Sequence, residues 1–216
     1  MNYTVDFHCH TLFSKDSLTQ LSDLVGTIRR RKLGRVIITD HNTIKGAVAA
    51  RMLDPELIIV GEEIKTTRGE ILAAYVTEEI PRGLSPQETI QRLRNQGAFI
   101  SVSHPFDIRS GAWALDDLLE VTPYVDAIEV FNARCMKPGA NQEALRFASE
   151  HNLPGTAGSD AHTASELGTA YVELPRFDGP DELRKVINQG TVRGRLSPWW
   201  VHLFSRYARI KKTVAV

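Results

Sequence analysis

Two cysteines, Cys9 and Cys135, are too few in 216 residues to form a disulfide framework, so reduced thiols are the default. Long hydrophobic runs are also missing. "RVIIT" and "ELIIVG" fall far short of the roughly 20 apolar residues that a membrane helix needs. The opening "MNYTVDF" enters a strand pattern at once, without the basic, apolar and small-residue regions of a signal peptide. A cytoplasmic location is the resulting expectation. There is no excess charge of either sign, since 26 basic residues face 26 acidic ones. A dedicated nucleic-acid binder would show a basic surplus, so nucleic acid is not the favoured partner. Repeats, low-complexity tracts and long linkers are absent. A hydrophobic content of 42% suits one globular domain.

Short β-branched runs alternate with helical patterns almost from end to end, the pattern of parallel strands joined by crossover helices. The strands read "YTVDFH", "RVIITD", "LIIVGEEI", "EILAAYV", "AFISVSH", "DAIEVF", "GTAGSD" and "TAYVEL". In "SPQETIQRLRNQG", Ser85 is an N-cap, Pro86 a first-turn proline and Glu88 the acid of a capping box; Gly97 can end the helix left-handed. Leu21, Leu24, Val25 and Ile28 fall at helical spacing, as do Leu183, Val186 and Ile187. "HPFDIRSGAWALDD" and "ARCMKPGAN" read as loops.

The chemistry lies in how the strands end. His8 and His10 close the first, Asp40 and His41 the second, Glu62 and Glu63 the third. His104, Asn132, and the pair Asp160 and His162 end three more. Each motif alone has a plain reading, as a polar strand end or a helix cap. Five of the seven histidines at equivalent strand ends are harder to explain that way. His151 and His202 lie elsewhere and read as structural or solvated. In a parallel β/α barrel all strand C-termini meet at one face, where an active site is built.

The four segments "DFHCHTLFSKDS", "ITDHN", "SVSHP" and "GSDAHT", in that order, resemble the motifs of the PHP family, the polymerase and histidinol phosphatase superfamily. "GSDAHTASELGTAYVEL" is also similar to the C-terminal segment of its small stand-alone members. The resemblance implies an α/β fold, a distorted parallel (β/α)7-type barrel, over residues 1–195. It further implies a phosphoesterase with two or three divalent metal ions. His8, His10, Glu63 and Asp160 would hold one ion. Glu63 would bridge to a second ion bound by His104, and Asp16, His41 and His162 would hold a third. Glu63 is preferred to Glu62 because the family's acid stands two residues after the glycine. Further ligands for the second ion could come from Glu70, Asn132 or Cys135. Asp6 and Asp40 could instead orient ligand imidazoles from behind. A mixed imidazole and carboxylate set suits manganese, iron or zinc.

The implied mechanism is attack on a phosphoryl group by a metal-bridging hydroxide, supported by Glu63, Asp160 and His162. Cys9 is not needed as a nucleophile, because strand alternation turns it from the face of His8 and His10. Arg134 and Arg109 are the candidate phosphate-binding arginines. The expected substrate is a small phosphorylated metabolite, either a monoester or a cyclic diester. The alternatives are a nuclease or nucleotide phosphatase acting on nucleic-acid ends, and a non-catalytic metal- or phosphate-binding module. Residues 196–216 form a basic amphipathic tail that begins with a Ser-Pro helix signal. Its face of Trp200, Leu203, Phe204 and Tyr207 would either pack on the barrel or meet a partner.

Overall fold

The computed structural model describes residues 2–107 and 112–214. The expected barrel is present as a mixed α/β fold around a nearly closed sheet of nine strands. The chain runs β1 (Asn2–Cys9), α1 (Leu21–Arg31), β2 (Arg35–Ile38), α2 (Lys45–Leu53), β3 (Ile58–Lys65) and β4 (Glu70–Ala74). It continues through α3 (Pro86–Asn95), β5 (Phe99–Val102), α4 (Leu115–Val121), β6 (Ala127–Asn132), α5 (Ala140–Glu150) and β7 (Gly155–Gly158). The last elements are β8 (Ala170–Pro175), α6 (Pro180–Val186), β9 (Thr191–Gly194) and α7 (Val201–Val214).

The sheet order is β7-β6-β5-β4-β3-β2-β1-β8-β9. Strands β1, β2, β3, β5, β6 and β7 run the same way, so their C-terminal ends share one rim. Two strands depart from the parallel, alternating pattern read in the sequence: β8 runs antiparallel to β1, and β4 runs antiparallel to β3. "TTRG" makes a tight hairpin in which the Thr66 hydroxyl donates to the Gly69 carbonyl at 2.7 Å, so β4 returns antiparallel to β3 without a crossover helix. That reversal brings the first residue of β4, Glu70, to the rim, opposite Lys65.

The ring closes where the end of β7 meets the end of β1. Asp160 N donates to His8 O at 2.7 Å, and His10 N donates to Ala161 O at 2.8 Å. Such an approach requires a glycine beside it, because a Cβ at Gly158 would collide with the backbone and Cβ of His8. A register shift between Asp6 and Cys9 breaks strict alternation in β1. Val5 and Phe7 join an interior layer with Ile37, Ile59, Phe99 and Val172. Cys9 packs on the outer side among Leu24, Val36 and Ile38, away from the face of His8 and His10.

The helices cover the sheet with the faces their spacing predicts. Leu24, Val25 and Ile28 of α1 are buried, as are Ile90 and Leu93 of α3. Each such side chain contributes about 1.5–3 kcal/mol on burial. Ser85 accepts from Glu88 N at 3.2 Å, and Gly97 stops the helix at φ 74°. The C-terminal helix does not pack its aromatic face on the barrel. Val201, Ser205 and Ala208 are its buried residues, whereas Trp200, Leu203, Phe204 and Tyr207 are exposed. These compact residues, at positions i, i+4 and i+7, allow close approach and turn the bulky face outward.

Candidate metal centre

Five strand ends and two loops deliver their polar side chains to the rim. Glu63 is at the centre. Its Oε2 lies 2.9 Å from His41 Nδ1 and 3.4 Å from Nε2 of both His8 and His10, and its Oε1 lies 3.1 Å from His104 Nε2. Asp160 Oδ1 is 3.1 Å from His10 Nε2 and 3.5 Å from His162 Nδ1. Asp16 Oδ1 is 3.3 Å from His162 Nε2 and 3.5 Å from His41 Nε2. Asp160 takes a left-handed backbone conformation, φ 50°, uncommon for a residue with a side chain. Glu70 Oε2 stands 3.7 Å from His104 Nε2.

Hydrogen bonds behind the imidazoles decide which nitrogen faces the centre. His8 Nδ1 donates to Glu129 Oε1 at 3.0 Å, and His162 Nδ1 donates to the Asp160 carbonyl at 2.8 Å. Ser14 Oγ gives its own proton to Asp40 at 2.6 Å, so it accepts from His10 Nδ1 at 3.1 Å. All three rings therefore turn Nε2 inward. The Nε2 atoms of His8 and His10 are only 3.1 Å apart. Two lone pairs so close repel unless a proton or a cation lies between them.

The acids make the same point. Glu63 Oε2 and Asp16 Oδ1 are buried and accept no well-aligned hydrogen bond, although imidazole nitrogens surround both. Unpaired buried carboxylate oxygens are costly. Four groups each bring three ligand atoms within 4.8 Å of one another: His8, His10 and Glu63; His10, His41 and His162; His8, His104 and Glu129; and Glu63, Glu70 and His104. These residues fit divalent cations.

Protonation follows this arrangement. Burial pushes His10 down to about 3, helped by the neighbouring His162 and His41. For His104 burial acts against the charge, but the Glu63 carboxylate prevails and raises it to about 9. Burial also opposes charge on His8 and His41, yet the acids around them raise both. Glu63 and Asp160 are held well below the usual carboxylate range by the imidazoles, against the effect of burial. Glu70 is raised to about 7 by burial and by the charge on Glu63.

Behind this layer the structure separates the remaining candidates. Asp6 does not share the orientation of His8 and His10: its oxygens accept from Ser159 N, Ser159 Oγ, Gly168 N and His8 N at 2.6–3.2 Å. The bulge in β1 is the reason. Asp40 accepts from Thr11 N, Thr11 Oγ1 and Ser14 Oγ, which fixes Ser14 under His10. Asn132 donates to Glu129 and Asp160 at 3.2 and 3.3 Å. Burial pushes the half-buried Cys135 thiol up, and it belongs to none of the four groups. Glu62 points away from Glu63 and accepts from Ile80 N at 3.0 Å.

Glu129 escaped the sequence reading. It lies inside β6 rather than at its end, and the available signal was an acid interrupting the apolar run "AIEVF". It is 1% exposed, and its second oxygen accepts from His104 N at 2.9 Å, so one carboxylate braces two imidazole-bearing residues. Above the cluster lies a cavity of about 340 Å³, lined among others by Lys15, Lys65, Arg82, Arg134, His202 and Arg209. His202, read as structural or solvated, therefore borders the site. Arg134 is buried; its guanidinium contacts Glu166, the Asp160 carbonyl, the Val201 carbonyl and Ser205 Oγ. Arg109 lies outside the described residues.

A family model described as PHP-associated matches residues 138–192. An uncharacterized protein of Methanocaldococcus jannaschii, MJ0417, is 36% identical over 185 residues, covering 83% of this chain and 74% of its own. The chain belongs to the PHP superfamily. Solved structures share the PHP fold at lower identity. PsfC from Pseudomonas syringae superposes with a TM-score of 0.70 at 17% identity, over 100% of this chain and 99% of its own. A proposed metal-dependent phosphoesterase from Bifidobacterium adolescentis gives 0.65 at 19% identity, over 87% and 96%. The PHP motifs quoted from the sequence are the segments that converge at the rim.

Proposed function

We propose that this PHP protein is a metal-dependent phosphoesterase acting on a small phosphorylated metabolite, a monoester or a cyclic diester. The observation that carries the reading is the inward-facing set of Nε2 atoms and unpaired carboxylate oxygens beneath a cavity ringed with cationic side chains. His8, His10, Glu63 and Asp160 would hold one divalent ion. Glu63, Glu70 and His104 would hold a second, and Asp16, His41 and His162 a third. Ions held close together lower the pKa of water toward neutrality and neutralise phosphoryl oxygens.

The chain's own residues supply the rest. Glu129, Ser14 and the Asp160 carbonyl keep three imidazoles in the tautomer that presents Nε2. Arg134 adds a buried positive charge at the cavity wall, and Lys15, Lys65 and Arg82 attract an anion to its mouth. With no thiolate in the set, manganese, iron or zinc are the suitable ions. The test is metal analysis of the purified protein joined to a screen of phosphorylated metabolites, with His10→Ala as the control. Turnover that is lost with His10 supports the reading. Metal-loaded protein that hydrolyses nothing in a broad panel refutes it, and preferential degradation of labelled oligonucleotides would shift the substrate to nucleic acid.

A further inference from the structure

The C-terminal helix is the wall of the cavity to which no role has yet been given. It has three sides. Val201, Ser205 and Ala208 are buried, Trp200, Leu203, Phe204, Tyr207 and Ile210 face solvent, and His202, Ser205 and Arg209 border the cavity. The helix is tied at both ends to segments that carry the site. Near its start, Arg134 Nη2 donates to Val201 O at 3.3 Å and to Ser205 Oγ at 2.8 Å. Near its end, Lys212 Nζ donates to the carbonyls of Leu12 and Ser14, in the loop that leads to Asp16.

Arg209 lies between these anchors. Its Nη2 donates to Asp16 Oδ2 at 3.1 Å, while Asp16 Oδ1 faces His41 and His162. The two oxygens of one carboxylate thus serve the guanidinium and the imidazole side separately. An anion drawn to the imidazole side lies within reach of the guanidinium. The Arg209 side chain is 60% exposed, and among the described residues this is its one contact with an acid, which leaves most of its N–H groups to meet an incoming ligand. Arg134 differs: it is 4% exposed, and four groups already surround its guanidinium.

We propose that Arg209, presented by the C-terminal helix, is a phosphate-binding residue of this site, in the cavity that His202 and Lys15 also line. The assignment rests on the phosphoesterase reading and locates its anion subsite. A planar guanidinium held by one carboxylate oxygen can offer its remaining donors to two phosphoryl oxygens at once. The tail thereby completes the site instead of merely covering the barrel.

The experiment uses the full-length, manganese-loaded protein and inorganic phosphate as the probe. Calorimetry should show Arg209→Ala binding phosphate about 10- to 100-fold more weakly, the range for losing a hydrogen bond to a charged group. Metal content and Tm should stay unchanged. Arg209→Lys should recover part of the affinity. Arg206→Ala removes the same charge from an exposed position on the same helix that does not line the cavity, and should bind like the wild type. Wild-type affinity in Arg209→Ala, an equal loss in Arg206→Ala, or loss of metal from Arg209→Ala would each overturn the assignment while leaving the phosphoesterase reading intact. A metal-loaded wild-type protein that binds no phosphate would overturn both.

Discussion

Two sets of buried carboxylates lie side by side in this barrel and are treated in opposite ways. Asp6 and Asp40 are each 0% exposed and surrounded by donors: backbone N–H groups and hydroxyls at 2.5–3.2 Å. Glu63 and Asp16 are just as buried, but an oxygen of each faces imidazole nitrogens without accepting a hydrogen bond. All four are carboxylates, and burial is nearly the same in both sets. The state of the hydrogen bonds distinguishes them, because a carboxylate satisfied by the backbone holds the fold and one left open can hold a cation.

Substitutions on either side of that divide should separate folding from metal binding. The largest effect is expected for Glu63→Gln, which keeps shape and burial but removes the central charge. The folded protein should lose its metal in mass-spectrometric analysis, and turnover should fall to background. Asp6→Ala should do the reverse. It strips acceptors from Ser159 N and Gly168 N, at a cost of about 1–3 kcal/mol for each orphaned donor in urea unfolding, while the folded fraction keeps its metal.

Glu129→Ala probes the boundary between the sets, since Glu129 is hydrogen-bonded throughout yet acts on His8. Metal affinity should drop about 10- to 100-fold, the usual effect of losing a group that orients a ligand imidazole. The smallest effect on metal binding is expected at Glu62, buried beside Glu63 but directed away from it. Burial raises it to about 8, against 4.5 for the free side chain. The native state then holds a proton that the unfolded chain releases, so stability should fall as pH rises from about 4.5 to about 8. Glu62→Gln should flatten that slope in urea titrations across the same range.

The sequence makes one half of this contrast legible. Apolar runs ending in His8, His41, His104 and Asp160 announce strands and a shared rim, because strand termini converge in a parallel barrel whatever their spacing in the chain. Glu63 could be told from Glu62 by its motif position, and Cys9 could be set aside by alternation. The other half depends on events that leave little trace in local pattern. A bulge in β1 redirected Asp6, and a four-residue hairpin delivered Glu70 from the start of a reversed strand. Glu129 was hidden because it acts from within a strand. The tail's amphipathic pattern was plain, but not which face would pack: three compact residues prevailed over the aromatic stripe.

The seam between β1 and β7 gives the site a second meaning. His8–His10 and Asp160–Ala161 bring together segments far apart in the chain, and the two backbone hydrogen bonds that join them lie within the cluster. Contacts so distant along the chain carry a large loop-closure entropy and form late in folding. A cation shared by His8, His10 and Asp160 would therefore act as the clasp of the ring. Removing it should open the barrel first at this seam, with the amides of His10 and Asp160 the earliest to exchange with solvent.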